Sequence, residues 1–381
     1  MARVCFVSSV HPLHDHRFLY AECAALRRAG HEVSFIVQAD EDRTLEGVRI
    51  VALPQFGAAQ RRSPYRRFLR VPLVVRKMLA TPADVYHLCD AELLPGGLLV
   101  KLLTGRQVVY DDHEDIPAFI LMKEYIARPI ARLLRWTVML FEAAAARTFD
   151  GFVLADRGMA EGLRGLAPAR KHIFFNFPPL GLFERNPIAW RQRRYDVVFL
   201  GTMSVHAGVP VLLEALSELK RSGRPIRALF IGSPRFDDFE RRVRDLGLAD
   251  AIEVTGQLDY ARVPALLNDC RIGLIGLLDM PKFRRNLATK LFEYWAKSLP
   301  VVSSDLPPER EFLEPGRTGV LVEPGNAKAF AAAIAAMLDD PEAGERMAAE
   351  ARSLVERNGY FAEREMAGLA EFYAWLLEHP R

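Results

Sequence analysis

The feature that most constrains this chain is a repeated alternation. A short apolar, β-branched run is followed by an apolar stretch at helical spacing, a glycine and another apolar run. Residues 4–10 are the first such run. Residues 18–29 carry Leu19, Cys23 and Leu26 on one helical face, Gly30 stops the helix, and residues 33–37 form the next run. Strand, helix, glycine, strand is a βαβ unit and the start of a parallel sheet. Further strands are predicted at 48–53, 84–88, 107–114 and 152–155. A second series follows at 196–200, 228–231, 252–254, 272–277, 300–304 and 320–322. Helices fall between at 93–103, 122–149, 211–221, 239–246, 263–268, 287–297, 327–338 and 341–357. A final apolar helix covers 361–377. With 381 residues, half of them hydrophobic, two cores are within reach. The expected class is α/β with two parallel-sheet domains, 1–180 and 195–357, and a linker at 180–194.

Composition removes several function classes. The formal net charge is +3, so no global field points to nucleic acid. Cys5, Cys23, Cys89 and Cys270 are scattered without C-x-x-C spacing, which reads as reduced buried thiols of a cytoplasmic protein. The first residues lack the apolar run of a signal peptide, and no run approaches the length that spans a membrane.

The chemistry-bearing residues cluster where strands end, the side on which open α/β sheets bind ligands. After the first strand come Asp15 and Arg17; Asp15 also suits a helix cap. The run at 107–114 passes from strand into polar loop through Asp111, His113 and Glu114, three titratable groups in four residues. In the second half three strands run into Gly201-Thr202, Gly232-Ser233 and Thr255-Gly256, and glycine lets backbone approach a ligand closely. No G-x-G-x-x-G follows the first strand, which disfavours a dinucleotide site. Lys290 and Glu293 stand three apart near a helix start. Such a pair suits a polyol phosphate, with the amides and Lys on phosphate and the carboxylate on hydroxyls, or else is a solvated salt pair.

The run Leu287-Ala288-Thr289-Lys290-Leu291-Phe292-Glu293-Tyr294 resembles the C-terminal signature of family 4 glycosyltransferases, closest to their bacterial polysaccharide branch. Ala288 and Thr289 replace that signature's Pro and Asn. Val109-Tyr110-Asp111-Asp112-His113-Glu114 resembles the family's Val-Tyr-Asp-x-His-Glu motif, Asp15 and Arg17 its first-loop Asp-x-Arg, and Asn176-Phe177-Pro178 its inter-domain turn. The resemblance covers most of the chain. It implies a GT-B fold: two Rossmann-like domains facing a central cleft, with the helix at 361–381 crossing back to the first domain. It implies retaining transfer from a nucleotide-diphosphate sugar, UDP- or GDP-linked, to a glycan or lipid-linked acceptor in surface polysaccharide or glycoconjugate synthesis. Glu293 would hold the ribose and His113 would face the donor sugar, with Asp111 orienting it. Asp15, Arg17 and Glu114 would lie on the acceptor side. Two departures stand out. Arg285 occupies the place of a second Glu, and the loop 201–208 lacks the family's Arg and Lys for the donor diphosphate. Lys290, Lys282, Arg284 and Arg285 are the nearest substitutes, and Asn286, Thr289, Gly201, Thr202, Gly232 and Ser233 complete the expected donor side. No D-x-D metal motif occurs at a strand end, so cationic side chains and helix amides rather than a metal or cofactor are expected to stabilise the leaving diphosphate. The departures also fit a catalytically silent scaffold; a nucleotide-sugar epimerase of the same architecture, using the same cleft without an acceptor, is a third reading.

One stretch stands outside the motifs. Residues 47–83 hold Arg49, Arg61, Arg62, Arg66, Arg67, Arg70, Arg76 and Lys77 and no acid, with Phe68, Leu69, Val71, Leu73, Val74 and Val75 among them. Arg66, Arg70 and Lys77 share helical spacing, and Arg128, Arg132 and Arg135 form a second stripe. In the helix at 122–149, Ile130, Leu133, Leu134, Val138 and Phe141 are expected on the core side. Pro72 predicts a short helix on one or both sides of itself. Basic charge beside apolar side chains suits peripheral contact with an anionic membrane through residues 61–77, at the inner face of the plasma membrane. The alternative is an ordinary helix with its Arg side in water.

Overall fold

The computed structural model describes residues 1–56, 64–123, 126–163 and 165–380. The chain forms two compact units, Met1–Asn176 with Ala362–Arg381, and Phe177–Phe361.

The first unit is built on an eight-stranded sheet of order β3-β4-β2-β1-β5-β6-β7-β8. Its strands are β1 (Arg3–Pro12), β2 (Glu32–Gln38), β3 (Arg43–Leu45), β4 (Val48–Leu53), β5 (Val85–Leu88), β6 (Gln107–Asp112), β7 (Gly151–Leu154) and β8 (Lys171–Ile173). All pairings are parallel except β3 on β4. Every residue of β5 and β7 is buried, as a parallel sheet covered on both faces requires. The helices after β1 are α1 (Ala24–Arg28) and, before it, a π-helical turn, His16–Cys23. Then come α2 (Pro64–Ala80), α3 (Leu94–Thr104), α4 (Ile116–Leu121), α5 (Arg128–Thr148) and α6 (Arg157–Gly162). Val74, Met78, Leu94, Val100 and Val138 seal one face of the sheet, while Phe18, Leu26, Leu369, Phe372 and Leu376 seal the other.

The second unit is a six-stranded, fully parallel sheet of order β11-β10-β9-β12-β13-β14. Its strands are β9 (Tyr195–Leu200), β10 (Ala228–Ile231), β11 (Ile252–Val254), β12 (Cys270–Ile275), β13 (Val301–Ser304) and β14 (Gly319–Val322). Its helices are α7 (Val209–Arg221), α8 (Phe239–Asp245), α9 (Val263–Leu267), α10 (Lys290–Ala296), α11 (Pro307–Phe312), α12 (Ala327–Asp339) and α13 (Pro341–Asn358). The last helix, α14 (Ala362–Glu378), belongs to the first unit.

Several expectations need correction. The helix predicted over 18–29 is half π-helix. That widened turn sets Arg17 and Glu22, five apart, both on the buried side. The helix predicted over 122–149 starts at Arg128, with Pro129 in its first turn; α4 is a separate element. On α5, Ile130 and Leu133 face solvent while Ala131, Val138 and Ala145 are buried. Helix α2 runs through Pro72 instead of stopping there. Residues 180–194 are not a free linker: Phe183 and Trp190 are buried, and Trp190 Nε1 donates to the Arg271 carbonyl at 2.9 Å. In the basic stretch Arg61 and Arg62 lie outside the described residues, and Arg70 is not on an outer stripe. It is buried, donates to the Ser9 carbonyl at 2.8 Å and lies 3.7 Å over the Phe56 ring. No described helix is long and apolar enough to cross a membrane.

Candidate functional site

In the first unit the polar residues gather at the carboxyl ends of β1 and β6. Asp15 caps the π-helical turn, accepting from the backbone N–H of Arg17 at 3.0 Å and of Phe18 at 3.2 Å. Its other oxygen lies 3.0 Å from His11 Nδ1, and His11 Nε2 is 3.4 Å from Asp90. Burial works against a charged His11, but Asp15, Asp90 and Glu114 outweigh it and raise the imidazole to about 9. It therefore carries a proton at neutral pH.

Asp111 is fully buried at the end of β6. Arg17 grips it with Nη2 at 2.9 and 3.1 Å and Nε at 3.3 Å. Nη1 of Arg17 donates to the Phe174 carbonyl and to Asn176 Oδ1, which fixes the guanidinium plane. Arg17 Nε is also 2.8 Å from Glu22. His87 Nε2 lies 3.4 Å from Glu22 and 3.5 Å from Asp111, and its Nδ1 pairs with Tyr373 Oη of α14 at 2.6 Å. Burial raises the Asp111 carboxyl, but Arg17, His113 and His87 outweigh it and hold it well below its usual range. Burial and then Asp111 push Glu22 well above its usual range. Burial lowers His87. Arg17 thus favours the ionised form of Asp111, while burial and Asp111 favour the protonated form of Glu22 and burial the neutral form of His87. Glu22, His87 and Asp111 offer three atoms within 4.8 Å of one another, close enough for a metal ion. Arg17 already supplies the positive charge between both carboxyl groups, so the arrangement reads as a buried ion-pair network.

His113 Nδ1 is 3.5 Å from Asp111 Oδ1, and Phe18 stacks edge-on against its ring. His113 and Glu114 line a cavity of about 290 Å³ with His11, Arg67, Glu92 and an apolar wall that includes Phe119 and Ile120. The structure therefore separates the predicted residues. His113 and Glu114 reach the cavity; Arg17 and Asp111 lie behind it, and Asp15 holds the turn.

In the second unit the carboxyl ends of β9 and β10 frame a cavity of about 250 Å³, lined by Gly201, Thr202, Gly232, Ser233, Arg235 and Tyr260 among others. Gly201 has φ +117° and Gly232 φ +137°, and a Cβ on Gly232 would stand 2.0 Å from the Gly201 carbonyl oxygen. The Gly201 carbonyl can lie against the end of β10 because Gly232 carries no side chain. Tyr260 donates to Glu293 Oε1 at 2.7 Å. Burial raises Glu293 against the pull of Tyr260 and Lys290. Lys290 opens α10, its Nζ 4.1 Å over the Phe199 ring and 3.8 Å from where a Cβ on Gly201 would stand. Burial lowers Lys290 to about 8, against Glu293 and the buried Glu309. Helix α10 is seven residues long and starts at Lys290, later than the predicted 287. Thr289 is its exposed N-cap residue. Arg284 is committed to Asp279 on the surface, with contacts of 2.5 and 2.6 Å. None of Arg284, Arg285, Asn286, Thr289, Lys290 and Glu293 lines the cavity; Glu293 meets it through Tyr260.

Glu22, His87 and Tyr373, with Arg235 and Tyr260, went unnoticed in the sequence. Glu22 did leave a signal, an acid four residues from both Phe18 and Leu26 on an apolar helical face. Arg235 left another, three residues past the Gly232 that ends β10. The family pattern places the diphosphate cations after β9, so Arg235, which follows β10, falls outside it.

Two parallel-sheet α/β units carrying polar clusters at their strand ends define a GT-B protein. The sucrose-phosphate synthase of Thermosynechococcus elongatus superposes with a TM-score of 0.80 at 18% identity, covering 99% of this chain and 100% of that one. Anabaena Alr3699/HepE in complex with UDP-glucose superposes with a TM-score of 0.72 at 16% identity, over 98% and 100% of the two chains. Residues 16–177 match the model of Glycosyltransferase Family 4, and residues 182–354 that of Glycosyl transferases group 1. The chain belongs to the family 4 glycosyltransferases. Alpha-D-kanosaminyltransferase of Streptomyces kanamyceticus is 31% identical over 42% of this chain and 40% of its own length. Phosphatidyl-myo-inositol mannosyltransferase of Mycolicibacterium smegmatis is 25% identical over 87% of this chain and 83% of its own. With kanosaminyltransferase and the Mycobacterium leprae mannosyltransferase, the match spans 40% and 42% of the relative's length, under half in each case.

Proposed function

We propose that this protein is a retaining glycosyltransferase, moving a sugar from a UDP- or GDP-sugar to a glycan or lipid-linked acceptor in surface polysaccharide or glycoconjugate synthesis. The observation that carries the reading is the Tyr260–Glu293–Lys290 group beside the glycine-ended strands β9 and β10. A carboxylate fixed by a phenol can accept from ribose hydroxyls with its remaining oxygen. A cation beside the Gly201 strand end, with Arg235 lining the adjoining cavity, offers positive charge where a diphosphate departs. Two sources outside the chain support it: the Anabaena structure holds UDP-glucose, and the relatives include a kanosaminyl- and a mannosyltransferase. In the first unit His113, held near Asp111 at the cavity wall, acts on the transferring sugar, and the cavity beside Glu114 receives the acceptor. Lys290 and Arg235 take the place of the missing Arg/Lys pair, and Arg284 plays no part.

The test is a panel of UDP- and GDP-sugars followed for release of nucleoside diphosphate. Slow donor hydrolysis with one nucleotide class is expected. His113→Ala should keep nucleotide binding and lose turnover. Interconversion of sugars without diphosphate release would replace this reading with an epimerase; inertness toward every donor would favour a silent scaffold.

A further inference from the structure

Helices α2, α3 and α5 lie side by side over one face of the first unit's sheet, α2 against α3 and α3 against α5. Their inward residues build the core, yet their outward faces are also apolar. On α5, Ile130, Leu133, Trp136 and Leu140 are 55, 68, 65 and 68% exposed, and their spacing places them along one stripe. Leu99, Leu102 and Leu103 form a second stripe on α3, with Leu102 82% exposed. Leu69 and Leu73 form a third on α2. A core-facing helix needs one apolar face, and α5 has two. Single exposed leucines are ordinary, but contiguous stripes on three neighbouring helices mark a docking surface.

Charge selects the occupant. Helices α2 and α3 contain no Asp or Glu, and α5 contains only Glu142. Arg66 and Arg76 are exposed on α2, and Arg128 and Arg132 on α5. A protein partner would need a large acidic, apolar face; a bilayer with anionic headgroups offers both chemistries at once. Apolar side chains enter the acyl boundary, Trp sits at the headgroup level and Arg reaches phosphate.

We propose that the outer faces of α2, α3 and α5 dock the protein on an anionic bilayer. The surface keeps part of the one expected from residues 61–77, through Arg66, Leu69, Leu73 and Arg76, and extends it onto α3 and α5. The apolar anchor is Ile130, Leu133, Trp136 and Leu140, with Arg128 and Arg132 beside them, and Arg70 is a core residue. The inference stands independently of the donor chemistry.

The test is co-sedimentation of the full chain with phosphatidylcholine vesicles, with and without phosphatidylglycerol. The wild-type protein should pellet with the anionic vesicles, be released by salt, and bind pure phosphatidylcholine far less. Leu133→Glu/Trp136→Glu should abolish binding. Arg128→Ala/Arg132→Ala should weaken it roughly thirtyfold on anionic vesicles and leave the residual neutral binding unchanged. Val254→Glu, an exposed apolar position of the second unit, should bind as wild type. Circular dichroism melting should be unchanged in all three variants. Unchanged donor hydrolysis in them separates failure here from failure of the transferase reading. Absence of binding to anionic vesicles, or binding that survives Leu133→Glu/Trp136→Glu, overturns the proposal. A wild-type dimer that ignores vesicles and dissociates in that variant would assign the face to a second copy instead.

Discussion

Replacing Arg17 by leucine tests the charge assignment in the first unit's buried network. In the wild type Arg17 favours the ionised form of Asp111, while burial and Asp111 favour the protonated form of Glu22. Without Arg17, Asp111 is left buried with no strong counterion. Breaking a buried pair in this way costs about 3–5 kcal/mol. Asp111 can escape by taking up a proton, which sets a ceiling. Protonating a carboxyl of ordinary pKa costs about 4 kcal/mol at pH 7 and about 1.5 kcal/mol at pH 5. The sign follows from linkage. In the wild type the folded Asp111 value lies below the unfolded one, so its stabilisation is present above the unfolded pKa and lost as pH falls through the folded pKa. In Arg17→Leu the folded value rises above the unfolded one, and the penalty grows as pH rises from about 4. The gap between variant and wild type should therefore narrow by about 2.5 kcal/mol between pH 7 and pH 5. Loss of the bonds to Phe174 and Asn176 adds a pH-independent part. Arg17→Leu/Asp111→Asn should remove the pH-dependent part altogether. Hydrogen exchange resolved by peptide, at both pH values, reads opening of the first unit with the second as internal control. A loss equal at pH 5 and pH 7, or untouched by Asp111→Asn, would refute the assignment of charge to Asp111.

Three further outcomes are expected. Glu293→Ala should weaken nucleoside diphosphate binding by about 1.5–3 kcal/mol in calorimetry, the scale of hydrogen bonds to a charged group, and unchanged affinity would move the ribose elsewhere. Lys290→Ala should lower turnover about a hundredfold. The wild-type rate should fall as pH rises through about 8, where Lys290 loses its proton, and Lys290→Arg should carry that limb upward; a flat profile across this range removes Lys290 from the leaving-group step. Gly232→Ala puts a methyl against the Gly201 carbonyl in a left-handed backbone and should destabilise the second unit by about 3 kcal/mol or more, read as a lowered Tm.

The βαβ rhythm was legible because apolar runs and glycine stops are local. Strands 48–53, 228–231 and 252–254 agree with β4, β10 and β11 residue for residue. Where local signals conflict, tertiary packing decides. Pro72 reads as a break, yet Val74, Val75 and Met78 beyond it are buried, and the helix continues. Ile130 and Leu133 read as core because they are apolar, and nothing local says that the sheet needs only one face of α5. Strands β3 and β8 and helix α11 are three to six residues long, too short for a periodic pattern. At the candidate site, the strand-end rule located His113, Glu114, Gly201 and Gly232 at their cavities. It could not place Tyr260 on Glu293, 33 residues away, or Tyr373 on His87, 286 residues away. It also could not show that Arg284 is taken by a neighbour five residues upstream.

Helix α14 carries Leu369, Phe372, Tyr373 and Leu376 into the first unit's core. A ribosome delivers the first 176 residues long before that helix exists. The second unit, continuous from Phe177 to Phe361, has its whole core once residue 361 has emerged. The order of completion is therefore the reverse of the order of synthesis, and the N-terminal unit must wait, one side of its sheet only partly covered, until residues 362–378 have emerged. A chain stopped after residue 361 would hold a finished second unit and a first unit whose His87 has lost its Tyr373 partner.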